Sequence, residues 1–351
     1  AGQDFSTSEP TAGWQACAAI SQEGPRLTCF DTWAQRQIAA PSLRPLPETI
    51  APEETRKHAS TQPECKSTRY SQLSRFWDLE AGSDCGAYTI RGYKPISLSW
   101  VGADSVNHQP LSTNPANSAS SALPYSNNEA RIQLSVRTKI AQGLLTRFDD
   151  VKRDSLWFGY TQQSNWQLFT PELSRPFRTT DHEPEITYIY PTDAALPLGW
   201  RLRYSGLSLV HQSNGQSLPL SRSWNRGVIM AGMEHGDQFV LQGKLWQRQF
   251  EAPSDDDNPG IENYVGRAEI SGFWNINKSN TLGLTLRHSL KAEANGSIRL
   301  DWFKVIGNAG TDPNNTGLRF HMQLFNGYGD SLVDYNRRRT VLSVGLSLVD
   351  W

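Results

Sequence analysis

Arg131-Ile132-Gln133-Leu134-Ser135-Val136-Arg137-Thr138-Lys139-Ile140 alternates with a period of two. Successive side chains of a strand point to opposite faces, so Ile132, Leu134, Val136 and Ile140 share one face. Arg131, Gln133, Arg137 and Lys139 share the other. A strand with one apolar and one charged face suits a wall between lipid and a polar lumen. A soluble β-sandwich would not place Arg and Lys regularly on the alternate, inward face.

The same texture recurs in both directions. Upstream, Ile96, Leu98 and Trp100 oppose Ser97 and Ser99, followed by a Ser-, Asn- and Pro-rich stretch (105–128) that reads as a loop. Downstream, Leu156, Phe158 and Tyr160 form one row, and Ile186, Tyr188 and Tyr190 another. Phe239, Leu241 and Leu245 oppose Gln242, Lys244 and Arg248, and a run from Tyr264 to Ile276 opposes Arg267 and Glu269. Further rows are Leu282–Leu286, Ile298–Trp302, Leu318–Leu324 and Leu342–Leu348, the last running to a terminal Trp351. With two strands around residues 200–233 the count is twelve, and an even count closes an antiparallel barrel.

Composition agrees with that reading. The chain has 12 Trp, 11 Tyr and 13 Phe against only 37% hydrophobic residues, as a half-polar β protein with aromatic girdles does. No window approaches 18 uninterrupted apolar residues, so a transmembrane helix is not expected, which says nothing against a barrel. The formal net charge of −1 gives no basic footprint for nucleic acid.

Residues 1–90 read differently from the rest. They carry Pro41, Pro45, Pro47 and Pro52, the charged run Glu53-Glu54-Thr55-Arg56-Lys57, and room for short helices such as Gln72–Leu79, but no strict alternation. The start Ala1-Gly2-Gln3 is what a processed exported protein shows. All four cysteines (Cys17, Cys29, Cys65, Cys85) lie here; an even number fits disulfides in an oxidising compartment, with three connectivities open. Zinc ranks lower, since no Cys-x-x-Cys pair occurs. Residues 1–90 are therefore read as a periplasmic extension and residues 91–351 as the barrel.

Chemistry concentrates in Val210-His211-Gln212-Ser213-Asn214-Gly215-Gln216-Ser217, followed by Ser221-Arg222-Ser223-Trp224-Asn225-Arg226. His211 and Ser213 share a strand face, Asn214-Gly215 begins a turn, and the returning strand can bring Asn225 beside His211. That arrangement supplies a nucleophile, a general base and an amide to hold the imidazole. The entering strand has a phase problem: Trp200, Leu202 and Tyr204 share one parity, Leu207, Leu209, His211 and Ser213 the other. A bulge near Ser205-Gly206 is expected to reconcile them. Asn225 shares parity with Gly227, Ile229, Ala231 and Met233, so both flanks put the three residues on the lipid-facing side.

The string H-x-S-N-G-x-S-x-P-x-S-R-S-W-N-R, residues 211–226, resembles the active-site signature of outer-membrane phospholipase A, a bacterial lipid hydrolase. The block Gly159–Gln167 resembles the family's Y-T-Q-x-S-x-W-Q strand, and Gly327–Asn336 matches another family block, so the resemblance runs from about residue 94 to the C-terminus. It implies a twelve-stranded antiparallel transmembrane β-barrel in the bacterial outer membrane, with Trp351 as the terminal aromatic insertion signal. It implies calcium-dependent hydrolysis of phospholipid acyl esters by Ser213 (nucleophile), His211 (base) and Asn225, in a homodimer. The backbone N–H of Asn214 or Gly215 is the expected oxyanion donor.

The implied calcium positions are Ser174, Gln216 and Ser221, and Gln162 is the implied polar contact between subunits. Gln216 stands where the family has an arginine that ligates through its backbone carbonyl. Leu218 stands where an aspartate can serve a second, weaker calcium site, although Asp257 remains. These two departures are what favours the alternative, a non-catalytic porin-like or adhesin barrel. A soluble serine hydrolase is disfavoured, because no Gly-x-Ser-x-Gly elbow occurs.

Overall fold

A computed structural model describes residues 14–38, 64–149, 151–175, 177–307 and 317–348. Trp351 and the Glu53–Lys57 run lie outside the described residues. Residues 1–59 form one compact unit and residues 60–351 another. In the first, helices α1 (Trp14–Ala18) and α2 (Glu23–Ile38) are joined by the disulfide Cys17–Cys29.

The second unit is the barrel. A two-residue strand β1 (Arg91–Gly92) pairs with one end of β3 (Asn128–Gln142), and β2 (Ile96–Ala103) pairs with the other end, so the two run in line. The wall continues with β4 (Ser155–Trp166), β5 (Thr179–Ala195), β6 (Arg201–Ser213), β7 (Ser223–His235), β8 (Phe239–Arg248) and β9 (Ala268–Asn277). It ends with β10 (Asn280–His288), β11 (Gly296–Val305), β12 (Leu318–Gly327) and β13 (Arg339–Leu348). Each of β2 to β13 pairs antiparallel with its neighbours, and β13 pairs with β2, so twelve strands close without an edge. Closure satisfies every ladder bond internally, which hydrocarbon requires. Tyr264, read as part of β9, caps a short helical turn before it.

The alternation sorts as the two solvents demand. Leu134, Phe158, Ile186, Leu207, Leu209 and Ile229 are exposed on the outer wall, whereas Glu129, Arg131, Arg137 and Lys139 are buried inside. The lumen is not uniformly polar, however. At the end with the shorter connections (143–154, 196–200, 236–238, 278–279 and 306–317) it is occupied by a plug from residues 64–90.

The plug is built around helix α3 (Gln72–Trp77). Ser71 caps its N-terminus by accepting from the Ser74 N–H, and Asp78 ends it in the left-handed region at φ 53°. Buried Trp77 meets Trp157 and Tyr204 edge-on, with ring centroids 5.6 and 5.9 Å away. The Arg137 guanidinium lies 3.4 Å over the Phe76 ring. Asp78, fully buried, takes both ends of the Arg91 guanidinium (2.8 and 2.9 Å) and the Lys139 ammonium (2.8 Å). A second disulfide, Cys65–Cys85, closes the plug's loop.

Candidate active site

The site lies at the opposite end of the barrel, where β6 and β7 are joined by residues 214–222. The phase change in β6 comes from register slips between Leu202 and Tyr204 against β7, and between Pro191 and Ala194 against β5. Consecutive Arg203 and Tyr204 are both buried, so the switch sits about two residues before the expected Ser205-Gly206. Tyr204 therefore turns inward, away from the face of Leu202. Beyond it, Leu207, Leu209, His211 and Ser213 face outward as expected, with Leu207 59% and Leu209 61% exposed.

His211 and Asn225 are directly opposed in the β6–β7 ladder, and His211 Nδ1 lies 2.8 Å from Asn225 Oδ1. An amide oxygen accepts only, so Nδ1 carries the proton and Nε2 is left as the basic nitrogen. Ser213 stands two residues along the same strand, on the same face as His211. The amide nitrogen of Asn225 donates to Glu251 Oε1 at 3.3 Å, and Glu251 Oε2 lies 3.0 Å from Arg248 Nη2. Sequence reading missed Glu251, which carries no motif.

The connecting loop is stapled by Asn214. Its Oδ1 accepts from the N–H groups of Gln216 (3.3 Å) and Arg222 (2.9 Å), and its Nδ2 donates to Leu220 O at 2.7 Å. The backbone N–H of Asn214 is spent on Arg222 O (3.0 Å), which leaves Gly215 as the expected oxyanion donor of the two. Gly215 has φ +61°, a conformation glycine adopts without penalty.

Ser213 belongs to a transverse row. Leu134, Gln162, His182, Ser213 and Ser223 are consecutive partners across β3 to β7, so all point outward together. Along this wall Tyr160 OH donates to Gln162 Oε1 (3.1 Å) and meets His182 Nδ1 at 2.7 Å, while Gln162 Nε2 donates to Ser164 Oγ at 3.2 Å. Gln162 thus faces outward. His182, also unmarked by any motif, lies beside the loop: a Cβ on Gly215 would stand 3.5 Å from its Nε2.

Among the described residues no hydrogen bond joins the three residues read as calcium positions. Ser221 Oγ donates to Asp257 Oδ2 at 2.6 Å, and Ser223 Oγ and Asn117 Nδ2 donate to the same carboxylate. Gln216 donates from Nε2 to Arg178 O (3.1 Å), while its buried Oε1 has no hydrogen-bond partner. Ser174 makes its polar contacts within its own connection: its hydroxyl donates to Pro171 O (3.0 Å), and its carbonyl accepts from Trp166 Nε1 (2.6 Å). Among the described residues no three His, Cys, Asp or Glu side chains cluster as a metal cage. The donors present are nonetheless all oxygen (hydroxyls, a carboxylate and an orphaned amide carbonyl), the set a hard cation takes. They fit calcium. Leu218 is 62% exposed at the loop tip, and Asp257 faces Ser221 instead.

Behind this loop Arg178 is sandwiched between Glu129 and the fully buried Asp334, with Arg339 Nη1 2.8 Å from Asp334. Burial alone would raise the Asp334 carboxyl pKa, but the Arg178 and Arg339 guanidiniums hold it below the ordinary aspartate value.

Residues 73–348 match the family model described as phospholipase A1. A putative phospholipase A1 of Neisseria meningitidis serogroup B is 37% identical over 287 residues, covering 80% of this chain and 71% of that protein. Phospholipase A1 of Escherichia coli K12 is 33% identical over 227 residues, covering 64% and 70%. Among solved structures, outer membrane phospholipase A from Escherichia coli superposes with a TM-score of 0.64 at 28% identity, over 75% of this chain and 99% of that one. The Salmonella typhi outer membrane phospholipase, a dimer with bound calcium, gives 0.63 at 27% identity, over 75% and 93%.

Proposed function

This chain belongs to the phospholipase A1 family, an outer-membrane barrel hydrolase, and we propose that Ser213, His211 and Asn225 are its catalytic triad. The observation that carries the assignment is the 2.8 Å contact between His211 Nδ1 and Asn225 Oδ1 on the lipid-facing wall. An active-site asparagine was also the target of mutation to alanine in a solved Escherichia coli relative.

In the first half-reaction Ser213 Oγ attacks the carbonyl carbon of an acyl ester while His211 Nε2 takes the hydroxyl proton. The carbonyl oxygen becomes an oxyanion, which the Gly215 N–H would receive. Collapse breaks the ester C–O bond, and His211 Nε2 returns its proton to the departing lysophospholipid oxygen. Water, deprotonated by the same nitrogen, then attacks the acyl-serine carbonyl; the acyl C–Oγ bond breaks, His211 Nε2 returns the proton to Ser213 Oγ, and the fatty acid leaves. Asn225 keeps the imidazole in the tautomer that leaves Nε2 free. The outward direction of the row has a purpose in this reading, since the scissile ester reaches Ser213 without its acyl chain leaving the bilayer.

We further propose that the enzyme works as a homodimer with Ca2+ held by Gln216, Ser221 and a partner copy's position 174, with Asp257 adding charge. The Salmonella typhi relative, a dimer with bound calcium, supports this, as do the orphaned Gln216 Oε1 and the outward Gln162. A bound calcium ion would supply positive charge near the oxyanion. The same reading puts residues 64–90 on the periplasmic side, because they occupy the end with the shorter turns.

The test is fatty-acid release from phospholipid in detergent micelles, with calcium and then with excess chelator. Calcium-dependent release that disappears in Ser213→Ala is the expected result. Release that persists in Ser213→Ala would overturn the triad, and release indifferent to chelator would overturn the metal.

A further inference from the structure

We propose that Glu251 is a fourth, positioning member of the catalytic array, acting through Asn225 on His211. The inference rests on the triad assignment above. An asparagine amide is nearly symmetric in shape, so nothing in its outline decides which end meets the imidazole. Glu251 decides it. An ionised carboxylate only accepts, and Glu251 Oε1 accepts a hydrogen bond from Asn225 Nδ2 at 3.3 Å, which turns Oδ1 toward His211 Nδ1 at 2.8 Å. A flipped amide would set an N–H against the imidazole Nδ1–H and favour the wrong tautomer, with the proton on Nε2.

Glu251 is itself held. Arg248 Nη2 lies 3.0 Å from its Oε2, and Arg248 is shared with Asp256 (2.6 Å) and Glu262 (3.5 Å). The line of contacts therefore runs Arg248, Glu251, Asn225, His211. It also accounts for an amide at position 225. An aspartate there would face the Glu251 carboxylate at contact distance, and two such carboxylates resist being ionised together. The negative charge that other triads place beside histidine is here one residue further out, and the amide relays its orientation.

The experiment compares Glu251→Ala, Glu251→Gln, Asn225→Asp, the double variant Asn225→Asp/Glu251→Gln, and Ser213→Ala. Each is folded in detergent, checked by heat-modifiable migration, and assayed for kcat and KM on micellar phosphatidylcholine across pH. Glu251→Ala is expected to lower kcat about tenfold with KM within about twofold, well short of the ~10⁴-fold loss when a triad histidine is locked in the wrong tautomer. Glu251→Gln, which can still accept from Asn225, should recover most of that loss while moving the acidic limb of kcat/KM to lower pH, because a negative charge has gone. The decisive sign is in the pair: the double variant should be at least about fivefold more active than Asn225→Asp alone. A merely structural glutamate predicts the opposite, additive loss. Wild-type kcat in Glu251→Ala with an inactive Ser213→Ala, or a double variant no better than Asn225→Asp, refutes the inference and leaves the triad standing. An active Ser213→Ala brings down the triad itself, and the inference with it.

Discussion

Substituting Asp334 by Asn tests how the active-site loop is anchored. Asp334 is fully buried; it accepts from Arg178 (3.2 Å), Arg339 (2.8 Å) and Ser331 (2.9 Å). Asparagine keeps the shape but removes the charge between two guanidiniums. Removing one partner of a buried ion pair costs about 3–5 kcal/mol. Both arginines keep other acceptors, Arg178 at Glu129 and Arg339 at Asp330 (3.6 Å) and Ser105 O (3.1 Å), so the low end, about 3 kcal/mol, applies. That is roughly two decades in the folding equilibrium. The consequence reaches the site because the Arg178 carbonyl receives Gln216 Nε2. Reversible denaturant unfolding in lipid should therefore show the loss, and activity should fall with it. The pH arm has a definite sign. The Arg178 and Arg339 guanidiniums hold the folded Asp334 carboxyl below the ordinary aspartate value, so its stabilisation is complete above the unfolded pKa and is lost as pH falls through the folded one. The variant's stability should be flatter in that acid range. Unchanged stability at pH 7 together with the wild-type acid slope would refute the reasoning.

Two further outcomes follow from the same side-chain geometry. Asp257→Asn, which keeps acceptors for Ser221 and Ser223 but loses charge, should raise the calcium concentration for half-maximal activity about tenfold. A titration with an unmoved midpoint would remove Asp257 from the metal's surroundings. His182→Phe keeps a ring near Tyr160 but ends the hydrogen-bonded line on the outer wall, and should cost about 0.6 kcal/mol and at most about 1.7, the mean and maximum for polar contacts measured within membranes. Unchanged or raised stability in denaturant unfolding would show that the line contributes nothing in lipid.

What could be read in advance divides by the range of the interaction involved. The barrel was legible because each strand lies between two solvents, so its fold is written locally, one residue at a time, as in 131–140. The opposition of His211 and Asn225 was legible for a related reason. A ladder paired around one short connection fixes its own register. The bulge was foreseen only as a necessity of parity. Its place, at Arg203-Tyr204, is set by what Tyr204 gains inside the lumen against Trp77, and Trp77 is 127 positions away in a stretch without alternation. The plug was illegible for the same cause: α3 is short, and its aromatic face acquires meaning only against the lumen wall. Glu251 is the sharper case. Its partner Asn225 is 26 residues distant, and the contact depends on how the chain leaves β8, which no periodicity encodes. A motif search finds residues that perform chemistry, since their types are restricted. It passes over a residue that only fixes which way an amide faces, because any acceptor delivered to that point would serve.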